Sequence, residues 1–425
     1  MDSKTYRKLR KLVTNPRLYF EDARLKRQYP GLEKYNTTLK EAKTLFKQGE
    51  IEATEKCLAT IPDTLPSKAR FSSTVALYSK RYADAERYAL SAMQGGRHDT
   101  STFREAFYLH QEALRFQGRF EAALIMLRGM PFEDNAARYF RAWRLAALGA
   151  KCPEAYESAM VRFTPGDPGW LRSRNHYILL LRDLQLGERA IAEAQLLMQQ
   201  VEQQPVGQPK TPPTRSDEQK RRWQEKAGLA LAQLKEDLAQ HDIDFFLVSG
   251  TLLGCVREGT ILGHDTDIDV GVMPEVNMKS LRSAIKNSRR FKLQEIISEN
   301  TLYVVHPNGV KIDLFRHYIE NEKLYHGGIK CRWWNTPFEL ETTQFLGSEY
   351  RAPKNYDIYL TENYGDWRTP VVEFETFLDT PNMEVTHSVN MSLFYSSQWV
   401  AAHRHGNISR KARYETACKT IDLQY

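Results

Sequence analysis

The chain has 425 residues, 41% hydrophobic and 27% charged, the make-up of an ordinary globular protein of roughly two or three domains; collagen-like, coiled-coil and wholly disordered chains are excluded. Five scattered cysteines form no C-x-x-C pair, so a reducing compartment is expected, with no zinc site of paired cysteines. Of the net charge of +7, six units fall in the first 30 residues, where nine Lys/Arg stand against three acids; the near-neutral remainder is not that of a nucleic-acid binder.

In the basic segment 1–30, Tyr6, Leu9, Leu12 and Val13 recur at helical spacing until Asn15-Pro16 ends the run. A basic helix with an apolar stripe suits either an anionic membrane surface or a cap on the domain behind it. The stretch LRKLVTNPRLYFEDARLKR also resembles the N-terminal region of bacterial capsule-assembly enzymes, which favours peripheral contact with the inner face of the cytoplasmic membrane. No run approaches the roughly 18–20 apolar residues of a membrane span, and the start MDSKTYRKLRK lacks the apolar core of a signal peptide, so a cytoplasmic protein is expected.

Residues 37–200 read as consecutive amphipathic helices with a loose repeat: LFKQGEIEATEKCL, LYSKRYADAERYAL, LRFQGRFEAALIML, RLAALGAKCPEAY and LQLGERAIAEAQ. Their turn positions, Gly49, Arg81, Gly118, Gly149 and Gly187, lie 32, 37, 31 and 38 residues apart. The pattern resembles tetratricopeptide repeats, whose period is about 34, although their Trp/Pro landmarks are missing. Such a solenoid is expected to dock a partner or an acceptor and to carry no chemistry. Residues 201–216, with Pro205, Pro209, Pro212 and Pro213, read as an extended linker. Beyond them one helix precedes the β-rich runs IDFFLV, DIDVGV, TLYVVH and VKIDLFRHY, which predicts a mixed α/β domain over 217–380. The fold expected is therefore multidomain, an α-helical repeat solenoid followed by an α/β domain with a mixed sheet. Residues 381–425 read as a partly helical extension.

The chemistry concentrates in SGTLLGCVREGTILGHDTDIDVGV, Ser249 to Val272. Ser249-Gly250 closes a strand and opens a helix, where small residues let backbone N–H groups approach a phosphate. Asp267 and Asp269 lie two apart in DIDVGV, so on a strand both point to one face. Two such carboxylates repel each other unless a cation lies between them, and Mg²⁺ takes carboxylates together with substrate phosphates. Asp313, between Ile312 and Leu314, is a third acid that needs a partner. Each piece has a plainer reading: D-x-D is common in loops, and an acid in an apolar strand can cap a turn. Asp265 shares the face only if the strand starts early and reads as a support behind the acid pair or as loop-capping. For His306, His317 and His326 a structural role is the first expectation.

GTLLGCVREGTILGHDTDIDVGV resembles the signature of the LicD/fukutin-related family, a G-T-L-L-G-x-x-R stretch followed by W-D-x-D-x-D. LGSEYRAPKNYDIYLTENYGDWRTP, Leu346 to Pro370, resembles that family's second block; together the likeness covers about residues 225–372. It implies a nucleotidyltransferase fold with Asp267, Asp269 and Asp313 as the catalytic, metal-holding acids. It also implies that Gly250, Thr251 and Arg257 belong to the donor-binding turn and its helix; Ser249 joins them there, Lys311 or Arg316 is expected beside Arg257 as a cation for the diphosphate, and Tyr364 and Trp367 are expected to wall the donor or sugar pocket. His264 stands where the family has Trp, and Thr266 where many members have Asp. The implied reaction moves a polyol phosphate or phosphocholine, with Mg²⁺ or Mn²⁺, from a CDP-linked donor to a sugar hydroxyl of a bacterial surface glycan or its lipid-linked precursor. A nucleotidyltransferase releasing pyrophosphate and an inactive helical-repeat scaffold are the alternatives.

Overall fold

The computed structural model describes residues 16–95, 101–131, 164–165, 169–208, 215–294, 300–371 and 373–422. The amphipathic run before Asn15 and the repeat around Gly149 lie outside them. The chain divides into two compact units, 1–118 and 119–425.

The first unit holds helices α1 (Pro16–Gln28), α2 (Leu32–Lys47), α3 (Ile51–Ala59), α4 (Pro66–Tyr78), α5 (Tyr82–Gly95) and α6 (Ser101–Phe116). Pro66 opens a helix, where the absent N–H would have been unpaired anyway. Between α2 and α3 the backbone turns through Gly49 at φ 76°, and between α4 and α5 through Lys80 at φ 55°, the left-handed geometry that ends a helix. Leu39, Phe46, Ile51, Leu58 and Phe71 share one core. Alanines at the contacts of α4, α5 and α6, among them Ala69, Ala92 and Ala106, leave room for close packing.

The second unit opens with α7 (Phe120–Arg128), α8 (Trp170–Asp183), α9 (Gly187–Glu202) and α10 (Asp217–Ala239). Then come β1 (Phe246–Leu247), α11 (Ser249–Glu258), β2 (Asp267–Val272), α12 (Met278–Asn287), β3 (Lys292–Leu293), β4 (Thr301–Val305) and β5 (Lys311–Glu320). The strands β6 (Lys323–Gly327), β7 (Cys331–Asn335), β8 (Leu340–Phe345) and β9 (Ser348–Pro353) follow, with α13 (Tyr356–Tyr364), α14 (Thr376–Asp379), β10 (Met383–Val385), α15 (Ser388–Arg404) and α16 (Ile408–Asp422). The sheet runs β10-β7-β6-β5-β2-β1-β9-β8, with β4 on β5 and β3 on β4. It is mixed: β2 is parallel to β5 and β1 to β9, while β1 is antiparallel to β2 and β4 to β5.

Two cores hold this unit. In the first, α10 presents Ala227, Ala230, Leu231, Leu234 and Leu238, three and four apart, to a core that includes Ile268, Val270, Ile312 and Leu314. The helix starts at a capping box, in which Ser216 Oγ accepts the Gln219 N–H and Gln219 Oε1 accepts the Ser216 N–H. In the second core, Trp170, Tyr177, Leu181 and Leu197 of α8 and α9 pack with Met391, Trp399, Tyr414 and Ile421 of α15 and α16, and with Cys331 of β7.

Candidate active site

Strand alternation separates the two faces of β2 and β5. Ile268, Val270, Ile312 and Leu314 are fully buried in the core, so Asp267, Asp269, Lys311 and Asp313 share the opposite, partly open face. The parallel register then sets Asp267 beside Lys311 and Asp269 beside Asp313. On the far side of β5, β4 places Tyr303 beside Asp313.

The turn before α11 closes over this row. Ser249 adopts φ 48°, a region that non-glycine residues seldom occupy, and its N–H donates to the buried Tyr359 hydroxyl at 3.3 Å. At Gly250 a Cβ would stand 3.1 Å from Asp265 Oδ2 and 3.7 Å from Asp269 Oδ2, so the Asp265 carboxylate lies close against this backbone and the Asp269 carboxylate within ordinary contact of it. The buried Thr251 hydroxyl accepts the Asp269 N–H at 2.8 Å and ties the start of the helix to the acid strand.

Four carboxylates thus share a restricted space, and their protonation reflects it. Burial, with Asp267 and Glu258 adding to it, pushes Asp265 up to about 7 against the pull of Arg215 and Arg257. Burial and then Asp267 push Asp313 up to about 7, opposed by Lys311. Asp269 is raised well above the usual carboxylate range by burial and by Asp267, Asp313 and Asp265 together, although the Gly250 backbone favours its ionised form. Burial also raises Asp267, with Lys311 opposing. Tyr303 and Tyr364 are raised too, by burial and then by Asp313 and Asp269 respectively. Among the described residues no group of three or more acidic, imidazole or thiol side chains is drawn together as a ready-made metal cage. The acids form an open row whose members repel one another.

The comparisons with known proteins fall on this row. The family model described as LicD/FKTN/FKRP, nucleotidyltransferase domain, matches residues 242–355, which hold both acid strands and the turn. Residues 242–355 are a LicD/FKTN/FKRP nucleotidyltransferase domain. A mouse protein called ribitol-5-phosphate transferase FKTN is 28% identical over 154 residues, 33% of this chain and 33% of its own length. Its human counterpart is 25% identical over 152 residues, with the same shares. An uncharacterised protein of Rickettsia typhi is 33% identical over 121 residues, 27% of this chain and 37% of its own. The chain thus spans about a third of the length of the curated relatives it matches.

Around the LicD-type domain the other predicted residues take distinct places. Arg257 donates to the Trp367 carbonyl at 3.2 Å and to Glu258 Oε1 at 3.2 Å, at the edge where its charge reaches Asp265 and Tyr364. Tyr364 is half-buried beside the acids. Trp367 is 7% exposed and gives its indole N–H to Asp357, so its ring sits in the main core and its carbonyl meets Arg257. Arg316 donates to the Pro274 carbonyl and stacks over Tyr318 on the other face. His306 is buried against Gln233 Oε1 at 2.7 Å, and burial lowers it to about 4. His317 and His326 are buried side by side, ring centroids 4.8 Å apart, among Phe246, Phe315 and Trp333.

Two participants escape a reading of the sequence, and a third, Asp265, is given only a supporting or loop-capping part by it. Asp265 lies before β2, yet its carboxylate reaches Gly250; the alternate spacing of Asp265, Asp267 and Asp269 is the signal that finds it. Arg215, at the end of the Pro-rich stretch, donates to the carbonyls of Gly263 and Asp265 at 3.0 and 2.8 Å and so fixes that loop. Tyr303 is visible only through the β4–β5 register.

Proposed function

We propose that the second unit transfers a phospho-alcohol from a CDP-activated donor to a sugar hydroxyl and releases CMP. The observation that carries this reading is the parallel register that makes Asp269 and Asp313 neighbours, with Asp267 and Asp265, on one open face under the Ser249–Thr251 turn. An all-oxygen set of crowded carboxylates fits Mg²⁺ or Mn²⁺, which such sites share with substrate phosphates rather than enclose. When bound, the cation offsets carboxylate repulsion and the negative charge of the donor diphosphate.

Asp267 and Asp269 would hold the cation. Asp313 would help to hold it and would take the proton of the attacking hydroxyl, a task that suits a group poised near neutrality. The acceptor oxygen bonds to the phosphorus next to the alcohol, and the bond from that phosphorus to CMP breaks. Arg257 and Lys311 supply positive charge toward the diphosphate, and Tyr364 walls the donor beside Asp265 and Asp269. The name of the mammalian relatives makes ribitol phosphate the first moiety to test, ahead of glycerol phosphate and phosphocholine. The acceptor in this reading is a surface glycan or its lipid-linked precursor, reached through residues 1–30 at the membrane and through the helical repeats as a docking platform.

Product analysis tests the reaction class. CDP-ribitol, CDP-glycerol and CDP-choline are each incubated with the full chain in Mg²⁺ or EDTA. Metal-dependent CMP from one donor is the expected result. Pyrophosphate from a nucleoside triphosphate, with no CMP from any of the three, would establish a nucleotidyltransferase in its place.

A further inference from the structure

A cavity of about 330 Å³ lies away from the acid row, between α8, α9, α15 and the turn that joins β6 to β7. Lys330 and Arg182 both line it, and no acidic side chain does among the described residues. Arg182 gives Nε and one terminal nitrogen to Asp183 Oδ1, at 2.8 and 2.6 Å, which leaves its other terminal nitrogen. Among the described residues the Lys330 ammonium has no carboxylate partner; it lies 4.3 and 4.6 Å from the ring centroids of Phe377 and Phe394. Burial lowers its pKa, opposed by Cys331, with Arg182 adding a smaller lowering effect.

The lysine is held in place. Its carbonyl accepts N–H groups from Thr386 and His387 at 3.0 and 3.1 Å, and Asn390 of α15 donates to the carbonyl of Ile329 at 2.8 Å. The rest of the lining alternates polar groups, Asn175 and Ser397 among them, with Leu197 and Val400. Two cations, neutral donors and apolar walls in a space of this size match a phosphate carried on a small body with C–H faces. The turn also reaches toward the acid row: a side chain on Gly328 would begin 4.0 Å from the Tyr303 hydroxyl, and Tyr303 neighbours Asp313.

We propose that this cavity is a second, anion-binding site, which takes the phosphate monoester of a sugar- or polyol-sized ligand between Lys330 and Arg182. The inference stands independently of the transfer reaction. Calorimetric titration of the full chain with ribitol 5-phosphate, in EDTA so that cation-assisted binding at the carboxylates is silent, measures it. Binding is expected in the wild type and in Asp267→Asn, to weaken about tenfold or more in Lys330→Gln and in Arg182→Gln, and to be retained in Lys330→Arg. A second arm replaces the soluble ligand by vesicles containing phosphatidic acid; Lys330-dependent binding confined to the vesicles keeps the phosphate site and assigns it to a lipid headgroup. Thermal melts of each variant verify folding. Binding that survives Lys330→Gln and Arg182→Gln, or its absence from both arms at millimolar ligand, would overturn the proposal.

Discussion

Asp313 shows how far one residue can be read. Its fully buried neighbours Ile312 and Leu314 put it on the opposite face of β5 by alternation, where the sequence alone shows only an acid in an apolar run in need of a partner. That it neighbours Asp269 is a matter of register, which no local pattern encodes. Its titration follows from the crowding. Asp313 and Asp265 keep a proton up to about 7 in the folded chain, against about 4 when unfolded. Between those values the folded, cation-free protein binds the more protons, so these groups cost stability as pH rises from about 4 to 7, and the cost levels off above. Asp313→Asn removes its share, of order 1–2 kcal/mol in a partly exposed site. In EDTA its melting temperature should therefore gain on the wild type between about pH 5 and 8; a difference independent of pH would contradict the account. Gly250→Ala probes the same crowding from the backbone side. Its methyl makes the Asp265 carboxylate give by a few tenths of an ångström, so CMP release should fall several-fold with about 1 kcal/mol or less lost in urea unfolding. Full activity in that variant would mean that Asp265 is dispensable.

Among the elements, β2 and β5 were legible because polar and apolar residues alternate along them, β4 because it is a run of strand-forming residues, and α10 because its apolar positions recur three and four apart. The strands β6 to β9 were not. CRWWN and LETTQF bury alternate positions only weakly, so their pairing comes from the hairpins they form and not from a hydrophobic stripe. Helix α15 was obscure for the opposite reason. It buries Met391, Leu393, Tyr395, Trp399 and Val400 on more than one side, which blurs any single stripe. The start of α10 rests on its capping box, so Ser216→Ala should cost about 0.5–2 kcal/mol in denaturant unfolding while leaving CMP release per folded molecule unchanged. A large loss of turnover would show that the neighbouring Arg215, which holds the Gly263–Asp265 loop, depends on that cap.

For the whole molecule, the helical first half and the mixed sheet of the second were both foreseeable from periodicity, and the way the second unit is sealed was not. Helices α8 and α9 share a core with α15 and α16, segments nearly 200 residues away in the chain, and such pairing leaves no local trace. A chain beginning at Arg119 should therefore unfold cooperatively, whereas one beginning at Arg215 would expose the apolar faces of α15 and α16 and aggregate; thermal melts and light scattering distinguish them. Equal cooperativity in both would show that the second core is not needed. The central claim, that the crowded acids form a divalent-cation site shared with the donor's phosphates, is met most directly by electron paramagnetic resonance of Mn²⁺ with the full chain. The free-ion signal should fall on adding protein, fall further with CDP-ribitol, and return in Asp269→Asn. A free-ion signal unchanged by the folded wild type, with or without the donor, would contradict it.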